Sequence, residues 1–206
     1  MFLLALLMNL ACCDPPFVHS VSDVSQEFSF YMDGRFHRQY LKDMGRDVRN
    51  WGNLSELDLE NANLLILTGG NQRIPYAEGS IANIESFVTG GGALLLMGDG
   101  TSAPASKVTE AFGAELTSVR AKKPLKGVGR LDGATIAFRS GRVLKLKPPW
   151  HILIEDANGK PVLAQRRYGD GNVIVGSRGL FGQKPDASDP INAEWATPLL
   201  IQLASF

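Results

Sequence analysis

Residues 63–100 constrain this chain more than any other stretch. The apolar run Leu64-Leu65-Ile66-Leu67 ends at Gly69-Gly70, and an amphipathic segment follows. Gly90-Gly91-Gly92 then opens a second apolar run over 93–97, which ends at Gly98-Asp99-Gly100. Two runs of strand length joined by about one helix predict a βαβ unit, because parallel strands need a crossover of a dozen or more residues. Consecutive apolar residues, rather than alternating ones, mark strands buried on both faces. Between them, 80–88 sets Ile81, Ile84, Phe87 and Val88 on one helical stripe, and the three glycines stop it.

The flanking segments extend this α/β pattern. Residues 27–32, with Phe28 and Phe30 alternating, are expected as a first strand, and 35–44 as a helix with Phe36, Tyr40, Leu41 and Met44 inward. A short second strand is expected at 46–49. Pro104 opens a helix that buries Val108, Ala111 and Phe112 before Gly113. From 115 onward the pattern changes to short runs at 116–121, 134–139, 142–146, 152–155, 161–168 and 172–177. Asn158-Gly159 and Asp170-Gly171 are hairpin dipeptides. The second half therefore reads as a β-rich excursion over 115–168, with 172–177 rejoining the main sheet. An amphipathic helix over 191–204 closes the chain, with Pro198 marking a bend or a late start.

Composition adds limits. The 206 residues suffice for one well-buried domain, and the formal net charge of zero predicts no general attraction to nucleic acid. Charge is uneven: nine Lys/Arg against Asp132 alone between 120 and 147, a solvated face of hairpins or a surface for an anionic partner. Residues 1–13 are almost wholly apolar, too short to span a bilayer and of the right length for the core of an export signal. Leu10-Ala11-Cys12-Cys13 is similar to a bacterial lipobox, which makes Cys12 and Cys13 the candidates for lipidation. The match departs at Asn9 and in the absence of a preceding Lys or Arg. Both cysteines of the chain lie here, so the domain beyond them holds no disulfide and no cysteine-ligated zinc. The organisation expected is a leader over 1–13, a tether over 14–26 and one α/β domain over 27–206. The protein is then exported, periplasmic or lipid-anchored in a membrane.

The order of segments resembles the class I glutamine-amidotransferase-like fold, a flavodoxin-like three-layer α/β sandwich with a mainly parallel sheet. More narrowly, it resembles the non-catalytic branch found in bacterial exported and gliding-associated proteins and in an intraflagellar transport subunit. The residues that carry the likeness are His37, Tyr40, Leu41, Gly45 and Val48; 62–68; Phe87-Val88, Gly91-Gly92 and Leu94-Leu95-Leu96; Tyr168-Gly169-Asp170-Gly171; Gly179-Leu180-Phe181; and Asn192. The resemblance implies a cysteine nucleophile in the elbow after strand 93–97 and a histidine near the end of strand 172–177. This chain has Asp99 and Ser177-Arg178-Gly179 at those places. Amidotransfer is accordingly not expected, and the resemblance implies a pseudoenzyme.

The candidate binding residues gather at the carboxyl edge of the sheet, where open α/β folds hold ligands. Asp99 and Gly100 read as a polar group at a crevice or as a helix cap and Gly-rich turn. Gly70 and Asn71 offer backbone N–H groups to an anion, or simply a turn. Asp33 and His37 stand where the first strand meets its helix, as ligand contacts or as solvated helix-start polarity, and two such residues are too few for a metal site. Arg178 suits a carboxylate or phosphate, or an internal salt bridge. Neither a Gly-x-Gly-x-x-Gly loop nor a Gly-Lys-Ser/Thr motif is present, so no cofactor is expected. Trp150 and His151 read as a partner-contacting loop or, for Trp150, as core. Three functions remain open: a scaffold or binding domain for a protein partner or a small polar, sugar-like ligand; a hydrolase using Asp99 with His37 as base; and an anion- or polysaccharide-binding module using 120–147.

Overall fold

The computed structural model describes residues 17–22, 41, 47–51, 59, 62–68, 78–98, 103–181 and 192–203. Its centre is an eight-stranded mixed sheet in the order β2-β1-β3-β4-β10-β9-β8-β6. The parallel part comprises β1 (Phe17–Ser22), β2 (Asp47–Trp51), β3 (Ala62–Thr68), β4 (Ala93–Gly98) and β10 (Gly171–Ser177). Taken alone, these strands run 2-1-3-4-5 in chain order, the flavodoxin-like arrangement. The predicted βαβ unit is therefore present as β3, α1 (Glu78–Thr89) and β4.

Alternation along the interior strands divides the core in two. Leu64, Ile66, Ala93, Leu95, Met97 and Ile174 face one layer, where they meet Leu41 and α3 (Ala193–Leu203) through Trp195, Leu199, Leu200 and Leu203. Leu65, Leu67, Leu94, Leu96, Val173 and Val175 face the other, against Ile84 and Val88 of α1 and Val108 of α2 (Ala103–Ala111). Both faces are covered, which is why these strands carry unbroken apolar runs. α3 continues through Pro198, so that residue does not delay the start of the helix.

Three expectations need correction. Residues 14–26, expected as a tether, contain β1, which pairs with β2 on one side and β3 on the other. The prolines at 15 and 16 end just before it, and Phe17, Val18 and Val21 supply strand-forming side chains that the surrounding Ser and Asp obscured. Secondly, much of the β-rich excursion never leaves the sheet. β9 (Pro161–Tyr168), β8 (His151–Glu155) and β6 (Lys126–Gly127) extend it antiparallel beyond β10. Only β5 (Ala114–Arg120) and β7 (Arg142–Leu146) form a separate two-stranded sheet. Thirdly, 134–139 is not a strand. It runs over the core as irregular chain, of which Phe138 is buried. The expected first strand at 27–32, and all of the predicted first helix except the helical, buried Leu41, lie outside the described residues.

The β9–β10 hairpin turns on Gly169-Asp170, one position earlier than the Asp170-Gly171 signal suggested. Gly169 has φ 59°, the positive value that a two-residue hairpin loop with glycine first requires. Gly171 is already in β10, where a Cβ would stand 2.1 Å from the Gly92 carbonyl oxygen. Only glycine allows that approach.

Candidate functional site

Asp33, His37, Gly70, Asn71, Asp99 and Gly100, with Cys12 and Cys13, lie outside the described residues. The strand ends that precede several of them in sequence are nevertheless defined. β3 ends at Thr68, β4 at Gly98 and β10 at Ser177, and Gly98 is the register partner of Ser177. Arg178 starts a 3-10 turn, Arg178–Leu180, directly after β10. Parallel pairing thus brings the exit of β4, which leads to Asp99, beside the exit of β10.

That exit is covered by the chain itself. Ser177 is fully buried, and its Oγ accepts a 3.0 Å hydrogen bond from the backbone N–H of Arg142. A Cβ on Gly141 would fall 1.7 Å from Ser177 Oγ, and one on Gly179 would fall 1.8 Å from the Ser140 carbonyl oxygen. Residues 138–142 therefore lie flat against the carboxyl end of β10, with two glycines making the contact possible. Asn192 fixes the rest of this strap. Its Oδ1 accepts from Ala137 N–H at 2.7 Å, while its Nδ2 donates to the carbonyls of Ala137 at 2.8 Å and Leu180 at 3.0 Å. The backbone carbonyl of Asn192 also receives N–H groups of Trp195 and Ala196 as α3 begins. One buried side chain consequently ties the strap, the turn after β10 and the last helix together.

At the opposite end of the sheet there is a concavity of about 600 Å³, lined in part by Arg130, His151, Gln165, Arg167 and Asn172. Asn172 pairs with Ala93 at the start of β4, so this is the amino edge of the parallel strands. His151 is opposite Gln165, and Arg167 opposite Asn172, which places these side chains on the face that carries α3. Arg130, in the 3-10 turn Gly129–Leu131, reaches across it. Its Nη1 donates to Gln202 Oε1 on α3 at 2.6 Å and its Nη2 to Gln165 Oε1 at 2.5 Å. Gln165 Nε2 in turn donates to Asn172 Oδ1 at 3.3 Å. Burial pulls the Arg130 guanidinium below its ordinary pKa. Sequence reasoning missed this group because its members are 35 and 72 positions apart; the one signal it carried was Gln165-Arg166-Arg167 interrupting an apolar strand.

On the other face Arg166 serves structure. Its guanidinium carbon is 5.6 Å from the Trp150 ring centre and 5.2 Å from that of Tyr168, and its Nη1 donates to the Phe112 carbonyl at 2.8 Å. Trp150 accordingly packs with the core beside α2, the core reading of that residue. The basic stretch 120–147 is spread over four elements: the end of β5 with Arg120, β7 with Arg142 and Lys145, the edge strand β6 with Lys126, and the turn bearing Arg130. Among the described residues no cluster of three or more His, Cys, Asp or Glu is placed to hold a metal ion, and no helix is long and apolar enough to cross a membrane.

No family model and no curated protein matches the chain. Solved structures do. The mmIFT52 N-terminal domain aligns over 92% of this chain and 98% of its own, with a TM-score of 0.70 at 14% identity. A GMP synthase-like protein from Thermoplasma acidophilum aligns over 92% of both chains, with a TM-score of 0.53 at 14% identity. A β-galactosidase from Bacillus circulans sp. alkalophilus gives 0.55 at 17% identity; this chain is covered over 92%, but only 30% of the enzyme is. At such identities the likeness is one of fold. The fold is flavodoxin-like and similar to that of glutamine amidotransferases.

Proposed function

We propose that this chain is an exported, non-catalytic binding or scaffold domain, an amidotransferase-like fold without the nucleophile and base of its catalytic relatives. The observation that carries the reading is the seat of residues 138–142 on Ser177. A general base at the end of β10 needs room to reach a substrate held above the neighbouring strand. Here the side chain at that strand end is engaged by Arg142 N–H and closed over, and the sequence supplies Asp99 where a thiolate belongs. Export is supported by the apolar run 1–13, with a lipid on Cys12 or Cys13 as the means of attachment. Because β1 starts at Phe17, only residues 14–16 would separate Cys13 from the sheet. On this reading the domain sits close against the membrane rather than on a long leash. Its partner is a protein or a small polar ligand.

Two measurements test this. Mass spectrometry of the mature protein should find a processed, acylated N-terminus at Cys12 or Cys13; an unprocessed Met1 in cells that export lipoproteins would overturn the export half. Glutaminase and esterase assays on the purified protein should show no turnover. Turnover that Asp99→Asn or His37→Ala abolishes would replace this reading with the hydrolase.

A further inference from the structure

The geometry points to a binding site at the amino edge of the sheet for a small, hydroxylated molecule that carries an oxyanion, with Arg130 as its anion-binding group. The site is remote from the carboxyl edge and does not depend on whether that edge is catalytic.

The argument starts from charge. Arg130 stays accessible to solvent, and its two described acceptors, Gln165 Oε1 and Gln202 Oε1, are neutral amide oxygens. Among the described residues no carboxylate pairs with it. A guanidinium keeps its charge at any ordinary pH, so the donors that these two amides leave over remain open to an anion. The described part of this chain sets no salt bridge at Arg130. The two amides instead hold the guanidinium plane still at the concavity. Two of its five N–H donors are thereby engaged, leaving donors to present to a planar carboxylate or a phosphate.

The surroundings select the rest of the ligand. Arg167 adds a second positive group, since its contact with Asp170 is long, 3.8 Å, and both side chains are exposed. Gln165, Asn172 and His151 supply donors and acceptors of the sort that pair with hydroxyl groups. A space of about 600 Å³ falls in the range of small-molecule sites. Acidic sugars and sugar phosphates share the required chemistry, an oxyanion on a polyol.

Isothermal titration calorimetry on the purified full chain tests the site with four probes: glucuronate, glucose 6-phosphate, inorganic phosphate and glucose. The expected result is binding of glucuronate, glucose 6-phosphate or both, weaker binding of inorganic phosphate and none of glucose. A preference for glucuronate assigns a carboxylate and a preference for glucose 6-phosphate a phosphate; either supports the site. Arg130→Gln should weaken binding roughly tenfold or more, while Lys123→Gln, on the same basic stretch but outside the concavity, should leave it unchanged. If Arg130→Gln does not fold, Arg167→Gln is read in its place, with a loss of about threefold expected from an exposed charge. The proposal fails if no anion binds at millimolar concentration or if glucose binds as well as glucuronate. It also fails if Lys123→Gln costs as much as the variant at the site. These outcomes are independent of the turnover assays, so failure here leaves the non-catalytic reading standing.

Discussion

Replacing Asn192 should separate what its side chain does from what its backbone does. The residue is 9% exposed and has φ 61°, in the left-handed region where asparagine and glycine are tolerated and alanine is strained. Its amide makes three hydrogen bonds to the backbone of Ala137 and Leu180. At about 1 kcal/mol for each bond, Asn192→Gly should cost about 3 kcal/mol. Asn192→Ala loses the same bonds and adds about 1 kcal/mol for the left-handed backbone, or about 4 kcal/mol in all. Asn192→Asp keeps an acceptor for Ala137 N–H but turns a carboxylate towards two carbonyl oxygens, so at neutral pH it should be no better than alanine. Urea unfolding followed by tryptophan fluorescence measures the series, because Trp195 stacks edge-on against Phe181 only 5.7 Å away and is buried next to the substituted residue. A loss of this size is a large part of the stability of a typical domain. The reasoning is refuted if glycine and alanine both stay within about 1 kcal/mol of wild type, or if glycine is the less stable of the two.

Two other substitutions bear on the same architecture. Gly141→Ala would drive a Cβ into Ser177 and Phe138, so a loss of about 2 kcal/mol or more is expected, partly recovered in the double variant with Ser177→Gly; strictly additive denaturation energies would mean that 138–142 does not sit on Ser177. Asp156 is buried, and although burial opposes its charge, backbone N–H groups of Lys122, Asn158 and Lys160 and the nearby Lys160 charge hold its pKa below the ordinary value. Its contribution is therefore complete above the unfolded carboxylate pKa of about 4 and is lost as pH falls through the lower folded value. Asp156→Ala should lower the urea midpoint at pH 7 and narrow the gap between pH 7 and pH 3. An unchanged pH dependence would remove Asp156 from the account.

What the sequence revealed follows from where each element finds its partners. β3, β4, β7 and β9 were legible because each carries its own signal, an apolar run or an alternation closed by glycine or a turn dipeptide. β1 was not, since a parallel strand draws its stability from neighbours 30 and 45 residues away and its six residues carry polar ones among the apolar. Residues 134–139 misled for the opposite reason. Their composition suits a strand, but both backbone groups of Ala137 are taken by one asparagine side chain 55 positions later, which leaves nothing there for a ladder. Of the candidate site, the placement of Arg178 at the exit of β10 was readable from the βαβ pattern. The Arg130 group was not, because Gln202 and Gln165 acquire meaning only once α3 lies across β9 and β10.

The two ends of the sheet are consequently unlike, and the same helix produces the difference. α3 starts at the carboxyl edge, where Asn192 locks the strap over the end of β10, and runs to the amino edge, where Gln202 presents its amide oxygen to Arg130. Chain that would have to move for chemistry at the first end is held by three hydrogen bonds and two glycine contacts. At the second end the groups in place are fixed amides, a constrained guanidinium and open space. A fold whose relatives place ligands at strand carboxyl ends has here used its last helix to close that end over β10 and to organise the other. Loosening Asn192 should therefore disturb Arg130 as well, since both depend on where α3 lies.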